Sequence, residues 1–212
     1  MKRREAIRSL GVIGVMSAFP NQLFSNPRPK KPHHIIGLGG AGCNILEYVH
    51  ANGVEAKYTC ISRPARPNLP SDIEFIEYHP PIIATHFTNK EICIPTDMSG
   101  KLIIPDQVWR IFEADEKFVL YAGLGGFTGT FFMEQLVPWL QANKKDFQAI
   151  CSIPFSFERQ SSKPYVNRVM KAIKPYPNFS YFELDDFIVK KGGATLTKFF
   201  ELVSEECLRR IG

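Results

Sequence analysis

Little in this chain is arranged for metal chemistry, nucleic-acid binding or a membrane span. The five cysteines, Cys43, Cys60, Cys93, Cys151 and Cys207, form no CxxC pair and show no metal-ligand spacing, which argues against zinc-ribbon and thioredoxin-like sites. An odd count cannot pair completely within one chain, and three of them sit in apolar runs, as free thiols of a reducing compartment do. His33, His34, His50, His79 and His86 are likewise scattered without metal spacing, and His33-His34 reads as a solvated strand entrance. Neither GxxxxGK[ST] nor GxSxG occurs, so a P-loop and a hydrolase elbow are excluded. Beyond the first thirty residues no apolar run is long enough to cross a bilayer, and there is no internal repeat or low-complexity block. The formal charge of +5 is in good part an end effect of Lys2, Arg3, Arg4, Arg8, Arg28, Lys30 and Lys31. The rest of the chain is close to neutral, which leaves no basic face for nucleic acid.

What remains is an ordinary globular composition, 44% hydrophobic and 22% charged over 212 residues, enough for one domain with a sizeable core. Residues 1–32 stand apart. A charged start, Met1-Lys2-Arg3-Arg4, precedes an apolar stretch over residues 9–19, and together they resemble a twin-arginine export signal. The match is partial, since Glu5, Ala6 and Ile7 stand where that signal has a bulky apolar pair. An amphipathic helix or basic arm explains the same residues. Residues 26–32, rich in proline and basic side chains, read as an extended linker, so the folded domain is expected over 33–212.

From residue 34 onward, short β-like runs alternate with helix-like runs. Strands are expected at 34–38, 56–62, 73–78, 118–122, 149–154 and 179–184. Helices are expected at 43–52, from Pro105 through Phe112, and at 131–143, 164–173 and 196–211. Pro105 suits a helix start, where its missing N–H costs nothing. Residues 79–105 are the least readable part and look like a surface excursion. The alternation predicts an α/β fold: a three-layer, Rossmann-like, mostly parallel sheet with helices on both faces.

Two glycine-rich turns fall where a strand hands over to a helix. The first is Ile36-Gly37-Leu38-Gly39-Gly40-Ala41-Gly42-Cys43-Asn44, and the second is Tyr121-Ala122-Gly123-Leu124-Gly125-Gly126-Phe127-Thr128-Gly129-Thr130. Glycine there lets backbone N–H groups approach phosphate oxygens, and the helix N-terminus adds partial positive charge. Thr128 and Thr130 offer hydroxyl donors. The first turn alone fits the GxGxxG dinucleotide fingerprint equally well, and Arg63 and Arg66 stand where a 2′-phosphate would lie. The second turn has no standing use in that fold.

With both turns in view, the chain resembles the N-terminal GTPase domain of the tubulin/FtsZ family. The family's GGGTGTG signature is matched by Gly125-Gly126-Phe127-Thr128-Gly129-Thr130-Phe131, and its GGGGGN loop by Gly39-Gly40-Ala41-Gly42-Cys43-Asn44. The PFxFEG motif of FtsZ is matched by Pro154-Phe155-Ser156-Phe157-Glu158, with Arg159 for the glycine. The resemblance implies GTP or GDP as ligand, accompanied by Mg, with residues Gly39, Gly40, Ala41, Gly42, Gly125, Gly126, Phe127, Thr128, Gly129 and Thr130 around the phosphates. It implies Asn44 and Asp185 at the guanine and Glu158 at the ribose. It also implies a partner, either an FtsZ-like filament or a second copy of the chain, and a role in cell division or filament assembly.

The sequence departs from the family in three ways. It ends at Gly212 after the helix-like run 196–211, so a reduced domain without the acidic catalytic loop and second domain is expected, at most a weak GTPase. Phe127 and Phe131 replace signature glycines and are expected to narrow the site. The γ-phosphate loop has only a poor counterpart in Thr96-Asp97-Met98-Ser99-Gly100-Lys101. Two other readings stay open: an NADP-binding Rossmann oxidoreductase, and an interaction protein that keeps the fold without nucleotide. GTP and free thiols point to the cytoplasm and the N-terminal segment to export by the twin-arginine route; the cytoplasm is the preferred expectation.

Overall fold

The structure, a computed structural model, describes residues 34–63, 68–78, 104–114, 116–190 and 196–211, without the side chains of 159–165, 188–190, 196 and 197. The N-terminal segment and linker, Arg66, Cys93 and the turn at 96–101 lie outside the described residues.

Six strands form one sheet: β1 (His34–Leu38), β2 (Lys57–Ser62), β3 (Ile73–Glu77), β4 (Phe118–Gly123), β5 (Phe147–Ile153) and β6 (Phe179–Glu183). Their order is β3-β2-β1-β4-β5-β6, and every pairing is parallel. Of the four inner strands, β1, β4 and β5 are apolar nearly throughout because both of their faces are covered. The edge strand β3, Ile-Glu-Phe-Ile-Glu, keeps a polar side and exposes Glu74 and Glu77.

Neighbouring residues of a strand point to opposite faces, and two cores follow from that alternation. On one face, Ile36, Leu120 and Cys151 pack under α2 (Asp106–Glu113), α3 (Phe127–Ala142) and α4 (Arg159–Ile173). On the other, Ile35, Tyr121 and Ile150 pack under α1 (Gly39–Ala51) and α6 (Leu196–Ile211), joined by Phe182 and Leu184 around α5 (Asp185–Lys190). The crossovers β1-α1-β2 and β4-α3-β5 thus lie on opposite faces, as a doubly wound sheet requires. Strand order reverses between β1 and β4, which run side by side with Leu38 opposite Ala122.

The expected three-layer α/β fold is present, and its strands lie within about two residues of the predicted ends. The helix starts differ. The helices after the two glycine-rich turns begin at Gly39 and Phe127, four residues earlier than expected in both cases. Glycine's low helix propensity reads as loop, yet the tight packing of these turns against the sheet overrides it. α4 also starts earlier, at Arg159 rather than Pro164, and α5 has no counterpart in the sequence reading.

Candidate functional site

β1 passes into α1 with no intervening loop. Leu38 is still extended, and Gly39 opens the helix with φ of +72°, a value that favours glycine. β4 reaches α3 through Leu124, Gly125 and Gly126. Leu124 N donates to Ser152 O at 2.8 Å, and Gly125 turns the chain with φ of +100°. The Thr130 hydroxyl staples this turn, accepting from Gly125 N at 2.8 Å and donating to Gly126 O at 2.5 Å. No side chain caps the start of α1 or α3. Their first-turn amides and the partial positive charge of each helix therefore meet at the carboxyl edge, where strand order reverses.

The glycines of these turns fall into two sets. A Cβ on Gly42 would lie 2.2 Å from Tyr121 O, and one on Gly129 would lie 2.8 Å from Leu38 O and 2.9 Å from Gly123 O. Gly37, Gly39 and Gly123 are similarly crowded, with Gly39 against Gly129 N at 2.9 Å. This set lets α1 and α3 enter the same edge side by side. Gly40 and Gly126 differ: a Cβ on either would meet nothing within 4 Å, and neither has a positive φ. Neither packing nor backbone conformation requires glycine at those two positions.

Both open glycines line a cleft of about 450 Å³, within the usual range for small-molecule sites. Leu38, Gly39, Gly123 and Leu124 form its floor, and Ala41, Phe127, Thr128 and Gly129 continue the helix starts around it. At the β2 end stand Ser62 and Arg63; at the end of β5 and just beyond it stand Ser152, Pro154, Phe155 and Glu158. Leu184 and Phe200 close the side under α6. That helix is tied across the sheet by Tyr121 Oη donating to Cys207 O at 3.1 Å, Gln148 Nε2 to Arg210 O at 2.9 Å and Arg210 to Tyr181 O at 3.2 Å. The cleft therefore has a cation at its β2 end, and a carboxylate with aromatic rings at its β5–β6 end.

Of the residues singled out from sequence, Gly39, Gly40, Ala41, Gly126, Phe127, Thr128, Gly129 and Glu158 come together around this cleft. Five do not line it. Gly42 is buried against β4, and Gly125 turns the chain through its positive φ. Thr130 is fully buried with its proton committed to Gly126 O, so it shapes the phosphate-type turn rather than donating into it. Asn44 is exposed on α1, one turn beyond Gly40 and on the same face. Asp185 accepts from Ser156 N at 3.0 and 3.2 Å with its two oxygens, which ties the turn bearing Phe155 and Glu158 to the start of α5. The expected narrowing by aromatic rings is partial. Phe131 is buried in the core, with its ring stacked on that of Phe127 at 5.5 Å, and Phe127 alone reaches the cleft wall.

Sequence reasoning missed Ser62, Ser152 and Phe200. Ser62 is the last residue of β2 and Ser152 the last but one of β5, so the rule that ligands bind at the carboxyl ends of strands finds them once the strand ends are known. Phe200 is 49% exposed, and no local pattern marks it, because α6 brings it from far along the chain.

No protein-family model matches the chain, and no curated protein matches it. Solved structures of similar fold do. The M. jannaschii FtsZ dimer, empty, aligns with a TM-score of 0.61 and 16% identity over 86% of this chain and 54% of that one. CetZ from Methanosaeta thermophila aligns at 0.53 and 15% identity over 85% and 52%. The GDP-bound monomer of CetZ1 from Haloferax volcanii aligns at 0.53 and 16% identity over 84% and 58%. The chain thus spans about half the length of those proteins. The strand order, the paired glycine-rich helix starts and these alignments agree on one architecture: the chain has the fold of the FtsZ/tubulin-type N-terminal domain.

Proposed function

We propose that the cleft binds a guanine nucleotide, GTP or GDP, with its phosphates over the starts of α1 and α3. The observation that carries this reading is the open space at Gly40 and Gly126, glycines that the fold does not need and that a phosphate held by backbone N–H groups does need. The exposed Phe200 ring offers a stacking face for a base. Glu158 is the one carboxylate among the described lining residues, and it suits ribose hydroxyls as an acceptor. Guanine is preferred because a structure of the same fold is a GDP-bound monomer and because of the motif resemblance. A Mg ion would rest chiefly on ligand oxygens and water, since among the described residues no three His, Cys, Asp or Glu side chains converge on a metal position.

Solved structures of this fold include a dimer of FtsZ and a protofilament of TubZ. We propose by the same route that the chain self-associates or docks on such a filament through the nucleotide-bearing edge, in cell division or a related assembly. Cytoplasmic placement goes with this reading, because GTP is found there and Cys43, Cys60, Cys151 and Cys207 form no disulfide among the described residues. Arg63 on the cleft wall also fits a 2′-phosphate, which favours NADPH as the second ligand to test. Calorimetric titration of the purified chain with GTP, GDP and NADPH decides the matter. Saturable heat with a guanine nucleotide supports the proposal, whereas no heat at millimolar nucleotide overturns it and leaves the interaction-protein reading.

A further inference from the structure

The cleft is polarised along the strand order, and that polarity gives a bound nucleotide a direction. Across its floor run the ends of β2, β1, β4 and β5 in sequence, about 4.8 Å apart per strand. The phosphate cradle, with Gly40 and Gly126, lies over the middle pair β1 and β4. On the β5–β6 side stand Phe155, Leu184, Phe200 and the Glu158 carboxylate. That wall accepts an aromatic base and sugar hydroxyls, and its carboxylate repels phosphate. On the opposite side stand Ser62, which is buried, and Arg63, which is exposed. Arg63 is the one cation among the described lining residues, and it forms no ion pair among the described residues. A nucleoside seated on the aromatic side therefore directs the free end of its phosphate chain toward β2.

We propose that Arg63 reads the terminal phosphate, so that the cleft distinguishes a nucleoside triphosphate from a diphosphate through this side chain. A guanidinium offers paired N–H donors matched to phosphate oxygens and keeps its charge at any physiological pH. Placed beyond the cradle, it meets the charge that the third phosphate adds and contributes little to a monophosphate. Ser62, beside it on the last position of β2, supplies a hydroxyl to the same end. This assignment rests on the proposal that the cleft holds a guanine nucleotide, and it adds which end of that ligand lies where.

The test measures dissociation constants for GTP, GDP, GMP and NADPH on the full chain, as wild type, Arg63→Gln and Arg63→Lys, with thermal melts as a folding control. The expected result is a wild-type preference for GTP over GDP that Arg63→Gln reduces by about tenfold, the size of one charge-assisted phosphate contact. GMP affinity stays unchanged, and Arg63→Lys retains part of the preference. Equal weakening of GTP, GDP and GMP in Arg63→Gln, or no change in any of them, overturns the assignment while leaving the nucleotide proposal standing. Loss of NADPH binding alone assigns Arg63 to a 2′-phosphate and also overturns it. Absence of guanine-nucleotide binding to the wild type removes both proposals.

Discussion

The two edges of the sheet are built on opposite plans. At the amino edge a chain of polar side chains links neighbouring strands. His34 Nε2 lies 2.8 Å from Thr59 Oγ1, which donates to Glu74 Oε2 at 3.0 Å. His34 Nδ1 lies 3.3 Å from Glu116 Oε2, and the other oxygen of Glu116 accepts from Lys57. At the carboxyl edge side chains are withdrawn instead, two helices start without side-chain caps, and Gly40 and Gly126 face open space. A network of side chains that face one another holds strands together. An edge that gathers donors and removes side chains leaves a place for something else.

The comparison is sharpest among the glycines of the carboxyl edge, where packing and open positions alternate. Gly42→Ala forces a Cβ to 2.2 Å from Tyr121 O, so a loss of about 3 kcal/mol or more is expected, or failure to fold, read by chemical denaturation. A Cβ on Gly126 meets no atom within 4 Å, so Gly126→Val should fold and cost no more than about 1 kcal/mol, the preference of a helix N-cap for glycine over valine. Nucleotide affinity should nevertheless fall at least about tenfold, the loss of one or more phosphate hydrogen bonds. If Gly126→Val unfolds the protein, or binds nucleotide as the wild type does, the division of the glycines into two sets is wrong.

The amino edge predicts a pH effect. His34, expected at a solvated strand entrance, is instead buried between β2 and the chain before β4, and burial pushes its imidazole below the ordinary 6.5, against the upward pull of Glu116. The unfolded chain then takes up a proton near pH 6.5 while the folded chain does not. Stability is therefore fully present above pH 6.5 and declines as pH falls from there toward the lower folded-state value. Denaturation midpoints from pH 8 to pH 5 should fall, and His34→Asn should flatten the part of that slope that begins near pH 6.5. A slope unchanged by the substitution contradicts the assignment to His34. Smaller still is Asp185→Ala, which releases Ser156 and the turn carrying Glu158. About 1 kcal/mol of stability and about threefold in nucleotide affinity are expected from those exposed hydrogen bonds.

Much of this was legible in the sequence for a physical reason. Strands buried on both faces are apolar runs, so β1, β4 and β5 announce themselves, and glycines clustered at strand ends mark the switch point. The helix starts were hidden because Gly39 to Gly42 belong to a helix that tertiary packing imposes. The sorting of glycines was hidden as well, because the sequence cannot tell Gly42, pressed against Tyr121, from Gly40, which faces open space. Thr130 looked like a ligand donor because its commitment to Gly126 O depends on a turn of five residues closing on itself. The far wall was hidden for the plainest reason: Phe200 reaches it only through the path of α6 across the sheet.

The central claim, that backbone amides at both helix starts hold one string of phosphates, is tested most directly by amide hydrogen exchange with and without saturating GDP. The account predicts that peptides covering Gly39 to Gly42 and Gly126 to Gly129 both gain protection, while the amino-edge segment at Glu116 to Phe118 does not change. Protection at only one of the two helix starts, or at neither, would contradict it.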